Sequence, residues 1–118
     1  MITSSVVVRF TVEGWHCWPG APDYRAYLRE RHRHLFHVEV QVAVNHHERE
    51  IEFHDLLDYS RRRFGGGEFG AASCETMATD LIDTIRVIYG EREIRVSVFE
   101  DGECGAVVQY RPEGLFHD

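Results

Sequence analysis

The chain has 118 residues, with 43% hydrophobic and 28% charged side chains, which is the composition and length of a single globular domain over residues 1–118. Its formal charge of −7 disfavours binding to nucleic acid or to an anionic membrane surface. No apolar run reaches the roughly 20 residues of a membrane-spanning helix and the first residues lack a signal-peptide pattern, so we expect a cytoplasmic protein with no membrane partner.

Three residue types restrict the mechanisms and binding sites that are open to this chain. All 13 basic residues are arginine, which excludes a lysine Schiff base and a P-loop lysine. The three cysteines, Cys17, Cys74 and Cys104, are odd in number and widely spaced, which indicates reduced thiols rather than a disulfide framework. Eight histidines in so short a chain are unusual and raise the question of metal binding.

Two strands are predicted in the first part of the chain. Residues 6–16 alternate apolar and polar side chains, and His16 continues the parity of the apolar face. Proline and glycine then predict a loop. A second and clearer alternation runs from His32 to Asn45 with valines at its even positions, and His32 and His34 lie on its core-facing side.

A turn then leads to a third, short strand predicted at residues 49–53. Two helices follow it. The first is predicted over residues 55–64, where an apolar stripe recurs at helical spacing, and three glycines end it. The second begins at Ser73, a favourable N-cap residue, and stops at Gly90.

A final strand pair closes the predicted order of elements. Residues 92–99 and 105–110 read as two strands joined by a hairpin near Asp101-Gly102-Glu103. Strands, two helices and strands in this order favour an α+β fold, in which one antiparallel sheet carries both helices on one face.

Three histidines form the main functional signal. His32 and His34 project from one strand to the same side, and His16 has the same facial parity on a neighbouring strand. Three protein nitrogens with one open position are typical of a catalytic zinc site. Hydrogen-bonded histidines without a metal are the alternative, but an unliganded imidazole on an apolar face pays a desolvation cost. The other histidines lack that argument and are interpreted as solvated or polar-network residues: His37, His46, His47, His54 and His117.

Five segments in chain order resemble those of a known family: Phe10-Thr11-Val12-Glu13-Gly14-Trp15-His16, His32-Arg33-His34, Ile51-Glu52-Phe53 with Asp55-Leu56-Leu57, Ser73-Cys74-Glu75-Thr76-Met77-Ala78, and Val96-Ser97-Val98-Phe99-Glu100. They are similar to the 6-pyruvoyl-tetrahydropterin synthase and 6-carboxytetrahydropterin synthase family. In that family, the three histidines that match His16, His32 and His34 bind zinc.

The resemblance implies the T-fold, an antiparallel four-stranded sheet with two helices on one face that assembles into an oligomeric barrel. A homo-oligomer, a hexamer or another T-fold barrel with sites between subunits, would hold zinc and a small pterin-like substrate. Glu100 matches the family's pterin-anchoring glutamate, and Glu75 becomes a second substrate-binding residue. Without the resemblance, Glu100 is a surface acid at a hairpin edge and Glu75 is a partner of the helix dipole.

The sequence departs from the family pattern where catalysis is concerned. Leu28 stands in place of the family's catalytic cysteine, and Arg33 in place of a glycine. The family's Leu-Asp-His segment has no counterpart in the glycine-rich stretch between the helices. Glu30 and Cys17 are the candidate groups for proton transfer, and Glu68 is a further one.

Several functions are compatible with this pattern. The first is a zinc-dependent carbon–oxygen lyase that releases triphosphate from dihydroneopterin triphosphate or a related pterin. The second is a catalytically altered or inactive member that binds a pterin-like or purine-like ligand, and the weakest is a structural oligomer with a vestigial site. Arg29, Arg31 and Arg33 form either a triphosphate clamp or a solvated strand edge.

Overall fold

A computed structural model describes residues 1–113, so the interpretation of His117 lies outside the described residues. The elements in chain order are β1 (Ser4–His16), a 3₁₀-helix (Asp23–Leu28), β2 (His32–Val44), α1 (Phe53–Arg63), α2 (Cys74–Tyr89), β3 (Ile94–Glu100) and β4 (Cys104–Tyr110). The four strands form one sheet, which together with the two α-helices confirms the α+β prediction.

The sheet is antiparallel throughout, with the strand order β1-β2-β3-β4. The register between β1 and β2 places His16 opposite His32 and Gly14 opposite His34. Phe36 pairs with Glu100, the last residue of β3. The end of β1, the start of β2 and the end of β3 therefore meet at one corner of the sheet.

The core lies between one face of this sheet and both helices. The valines of β2 face it as the alternation predicted, and Val38, Val40 and Val42 are each at most 2% exposed. Leu56 of α1 and Leu81 of α2 are fully buried in the same cluster. Each such side chain contributes about 1.5–3 kcal/mol by leaving water, so packing holds the helices in place. Among residues 1–113, no helix has the length and apolar character needed to cross a membrane.

The helix ends follow from side-chain and glycine caps. The hydroxyl of Ser73 accepts a hydrogen bond of 3.1 Å from the Thr76 N–H, and α2 ends at Gly90, whose φ of 85° is left-handed. Both ends agree with the prediction. Helix α1 begins two residues before the predicted start, because the Glu52 carboxylate accepts a hydrogen bond of 2.8 Å from the Asp55 N–H and caps the first turn.

The third strand predicted at residues 49–53 is wrong. Arg49 adopts a left-handed φ of 57°, Ile51 is a buried residue in a bend, and Glu52 already caps α1. An alternation of only three apolar and polar positions is too short to distinguish a strand from the entry to a helix.

The glycine-rich segment (residues 65–70) pairs with the end of β1. The Trp15 N–H donates to the Gly67 carbonyl at 2.7 Å, and its own carbonyl accepts from the Phe69 N–H at 2.9 Å. The Cys17 N–H donates to the Gly70 carbonyl at 2.8 Å. The segment therefore extends the sheet alongside His16 and holds the end of β1 in place.

Replacement of Gly67 by alanine is expected to lower the free energy of unfolding by about 2–4 kcal/mol. Gly67 has a φ of 68°, which costs about 1–2 kcal/mol for a residue with a Cβ. That Cβ would also lie 2.6 Å from the Glu13 carbonyl oxygen, and such overpacking costs about 1–3 kcal/mol. Gly66→Ala is the matched control, because a Cβ at Gly66 has no neighbour within 4 Å. Urea unfolding of both variants checks this, and equal losses would contradict it.

Candidate metal centre

Three imidazoles meet at the corner of the sheet. His16 ends β1, His32 begins β2, and His34 follows two residues later on the same face. One ring nitrogen from each lies within 4.8 Å of the other two, and the ring centroids are 4.6–5.2 Å apart. The grouping predicted from facial parity is confirmed.

The outward-facing nitrogen of each ring has a hydrogen-bond acceptor. Two of these acceptors are main-chain carbonyls and the third is a carboxylate, so each Nδ1 is the donor and each Nε2 is the nitrogen left to meet a ligand. The pairs are His16 with the Ala72 carbonyl (3.0 Å), His32 with the Glu30 carbonyl (2.9 Å) and His34 with Asp101 Oδ2 (2.7 Å).

The Nε2 nitrogens indicate whether these residues fit a metal. The Nε2 atoms of His16 and His34 are buried and have no hydrogen-bond partner among the described residues. Leaving a buried acceptor unpaired costs about 1–3 kcal/mol, so a ligand for these atoms is expected. Three neutral imidazole nitrogens are a typical donor set for Zn²⁺. The residues therefore fit a zinc ion.

Glu100 adds a negative charge beside the histidines. Its Oε2 lies 2.9 Å from Nε2 of His16, and its Oε1 lies 3.6 Å from Nε2 of His34. The first contact is short, yet it does not have the geometry of a hydrogen bond. Two acceptors this close repel unless a proton or a cation lies between them. A bound cation would relieve the repulsion at both histidines.

The ring of Phe36 forms the floor of the centre. It is fully buried, and its centroid lies 5.3 Å from that of His16 and 5.6 Å from that of His34. Phe69, from the glycine-rich segment, packs edge-on against it at 5.4 Å. His16 and His34 therefore pack against an apolar ring that is itself held by Phe69.

A cavity of about 420 Å³ opens beside the histidines. His16, His32 and Glu100 form part of its wall, and it is large enough for a small ring system. A larger groove of about 600 Å³ lies elsewhere and contains none of the three histidines. The other residues that bear on function in the smaller cavity are Cys17, Leu28, Cys74, Glu75 and Cys104.

Only some of the predicted acid–base and substrate-binding residues line the cavity. Cys17 and Glu75 line the cavity, as does Glu100. Glu30 is exposed and meets the centre through its main-chain carbonyl, which accepts from His32. Glu68 is ion-paired with Arg31 and lies outside the lining of this cavity.

The three arginines near the histidines each pair with a carboxylate. This arrangement supports the solvated strand edge over the triphosphate clamp, because each guanidinium already has an anionic partner. The pairs are Arg29 with Asp23, Arg31 with Glu68, and Arg33 with Glu13.

Three residues near the centre escaped sequence reasoning. Cys74 and Cys104 line the cavity, and Asp101 accepts from His34. Hydrogen bonds from the Leu35 N–H and from His34 hold the pKa of the Asp101 carboxyl below its usual value. The Asp-Gly turn was visible in the sequence, but its contact with β2 depends on strand register.

The cavity cysteines are expected to differ in reactivity. Burial, together with the nearby charges of Glu100 and Glu75, raises the pKa of Cys74 to about 12, whereas Cys104 is exposed. Since the thiolate is the nucleophile, iodoacetamide at pH 8 should modify Cys104 and spare Cys74 in the folded protein. Peptide mass spectrometry checks this, with urea-unfolded protein as the control in which both react. Equal rates in the folded protein would contradict it.

Comparison with solved structures identifies a protein with a similar fold. The structure of 6-pyruvoyl tetrahydropterin synthase from Plasmodium vivax superposes with a TM-score of 0.67 over 95% of this chain and 100% of that chain. The chain has the fold of that synthase. Sequence identity is 12%, so the likeness with the synthase is one of fold. The sequence itself matches no protein-family model and no curated protein.

Proposed function

We propose that the chain is a zinc-dependent carbon–oxygen lyase of the 6-pyruvoyl/6-carboxytetrahydropterin synthase type. Its substrate is dihydroneopterin triphosphate or a related pterin, from which it releases triphosphate. The observation that carries the proposal is the convergence of three imidazoles, two of them with buried Nε2 atoms that lack a hydrogen bond, beside a cavity that His16 and His32 line on a synthase-like fold. When bound at His16, His32 and His34, zinc supplies a Lewis acid for an oxygen of the substrate.

Two glutamates supply the substrate-binding groups. Glu100 lines the cavity and can accept two hydrogen bonds from the guanidine-like edge of a pterin ring. Glu75, in the first turn of α2, lines the same cavity. Together they would orient the ring relative to the three histidines, which is the positioning that a bound reactant needs.

Proton transfer is assigned to Cys17 or Glu30. Cys17 directly follows His16 and lines the cavity. Glu30 lies two residues before His32, and its exposed carboxylate would have to turn inward to reach the substrate. The geometry therefore favours Cys17 of the two.

The sheet edges support a homo-oligomeric barrel. Strands β1 and β4 are the outer strands of the four-stranded sheet, and within residues 1–113 no strand pairs with the outer edge of β4. Unpaired edges are templates for pairing with another chain. A second copy that joined β4 to β1 would close the sheet and place copies of the cavity near subunit boundaries.

Leu28 favours a second candidate function, a binding protein without lyase activity. Leu28 lines the cavity, and the sequence resemblance matches it to the family's catalytic cysteine. Its alkyl side chain cannot transfer a proton. In addition, the glycine-rich segment is paired with β1 where the family's Asp-His pair would be expected. The cavity and Glu100 would then bind a pterin-like or purine-like ligand unchanged.

Turnover of dihydroneopterin triphosphate tests the proposal. Zinc-loaded protein is expected to release triphosphate, and His32→Ala under the same conditions is the control for metal-dependent release. Cys17→Ser should lose turnover while Glu30→Gln retains it, if Cys17 transfers the proton. Absence of release, together with a raised melting temperature on addition of a pterin, would replace the lyase with the binding protein. Glu100→Ala should abolish pterin binding in either case.

A further inference from the structure

Asp101 lies in the β3–β4 turn and is joined to β2 by three hydrogen bonds. Its Oδ2 accepts from Nδ1 of His34 at 2.7 Å, and its Oδ1 accepts from the Leu35 N–H at 2.9 Å. Its own N–H donates to the Leu35 carbonyl at 2.7 Å. Both carboxylate oxygens are therefore committed to the strand that carries two of the three histidines.

The backbone of this turn does not by itself need a carboxylate. Asp101 and Gly102 have φ values of 55° and 74°, and the Glu103 N–H donates to the Glu100 carbonyl at 3.0 Å. These are features of a type I′ turn, in which asparagine and glycine serve at the first central position as well as aspartate. Aspartate therefore suits this turn, but the turn does not require its charge.

The charge has a partner at His34. His16 and His32 donate their Nδ1 protons to neutral main-chain carbonyls, whereas His34 donates to an ionised carboxylate. A carboxylate acceptor fixes the tautomer and ring orientation of a ligating histidine and makes its other nitrogen more basic. The charge-assisted bond is also stronger than one to a carbonyl.

We infer that Asp101 is a positioning residue of the metal centre. It holds His34 in the Nδ1-protonated form, directs Nε2 towards the other two histidines, and strengthens that nitrogen as a ligand. The inference rests on the proposed zinc function and adds to it: the turn between β3 and β4, rather than β2 alone, sets the third ligand.

Zinc affinity of turn variants tests this role. Asp101→Gly removes the carboxylate and keeps a residue suited to a φ of 55°, so lost affinity cannot be ascribed to turn strain. Competition with a chromophoric chelator should give a 10–100-fold loss for Asp101→Gly. Asp101→Asn should fall between it and the original protein, because one amide oxygen replaces two charged ones. Glu103→Gln, an exposed acid in the same turn, is the matched control and should stay within about twofold.

Imidazole nitrogen NMR gives a readout that a general loss of stability would not move. In metal-free protein His34 should be a single Nδ1-protonated tautomer, which becomes a mixture in Asp101→Gly and not in Glu103→Gln. Unchanged zinc affinity or an unchanged tautomer in Asp101→Gly would overturn the inference. If zinc-loaded original protein neither converts nor binds a pterin, the proposed function fails, while the affinity ratio of the variants still decides the role of Asp101.

Discussion

Zinc affinity is expected to fall by roughly 10²–10³-fold when His32 is replaced by alanine. Structural zinc sites with four ligands provide about 10–16 kcal/mol, so one ligand accounts for about 2.5–4 kcal/mol, and 1.4 kcal/mol is a factor of ten. The fold should survive, because His32 is only half-buried at the start of β2. Metal content after dialysis and chelator competition measure the change.

His37→Ala provides the control for that experiment. His37 is exposed on β2 and has the opposite facial parity to His32 and His34. Its removal should leave zinc affinity unchanged. A similar loss in the two variants would mean that zinc binds to surface histidines and that the three-histidine centre is wrong.

Phe36→Ala is expected to have the largest effect on stability, a loss of about 3–5 kcal/mol in the free energy of unfolding. The ring is fully buried and contacts His16, His34 and Phe69, so alanine leaves a cavity under the metal centre. Because the imidazoles lose their support, zinc affinity should fall as well. Urea denaturation in the presence and absence of zinc measures both effects.

The neighbouring residue is the natural comparison. Leu35 is 37% exposed and points to the other face of the sheet, so Leu35→Ala should change stability by about 0.5 kcal/mol. If Leu35→Ala and Phe36→Ala were equally destabilising, the assignment of the buried face at this end of β2 would be wrong.

Much of the fold was predictable because its signals are local. The valine alternation of β2, the serine cap of α2 and the Asp-Gly turn each act within a few residues, and the structure contains all three. The strand predicted at residues 49–53 is wrong because its alternating pattern is short. Glu52 caps α1 at this point, so the chain enters a helix instead. The 3₁₀-helix at Asp23–Leu28 gave no periodic signal.

The three-histidine group was predictable from parity, whereas its surroundings were not. Side chains two residues apart on a strand share a face, so His32 and His34 had to point together, and His16 could join them from an adjacent strand. The acceptors of their Nδ1 protons come from other parts of the chain. Ala72, for example, is 56 residues from His16 along the chain.

The sequence by itself determined an α+β chain with three histidines on one apolar sheet face, because alternation and composition are properties of neighbouring residues. Only the tertiary structure decided that Asp101 holds His34 across 67 residues, that three cysteines share the cavity, and that the nearby arginines are already paired. These contacts depend on strand register and on the docking of the glycine-rich segment. Both are set by the packing of the whole core, which no local pattern encodes.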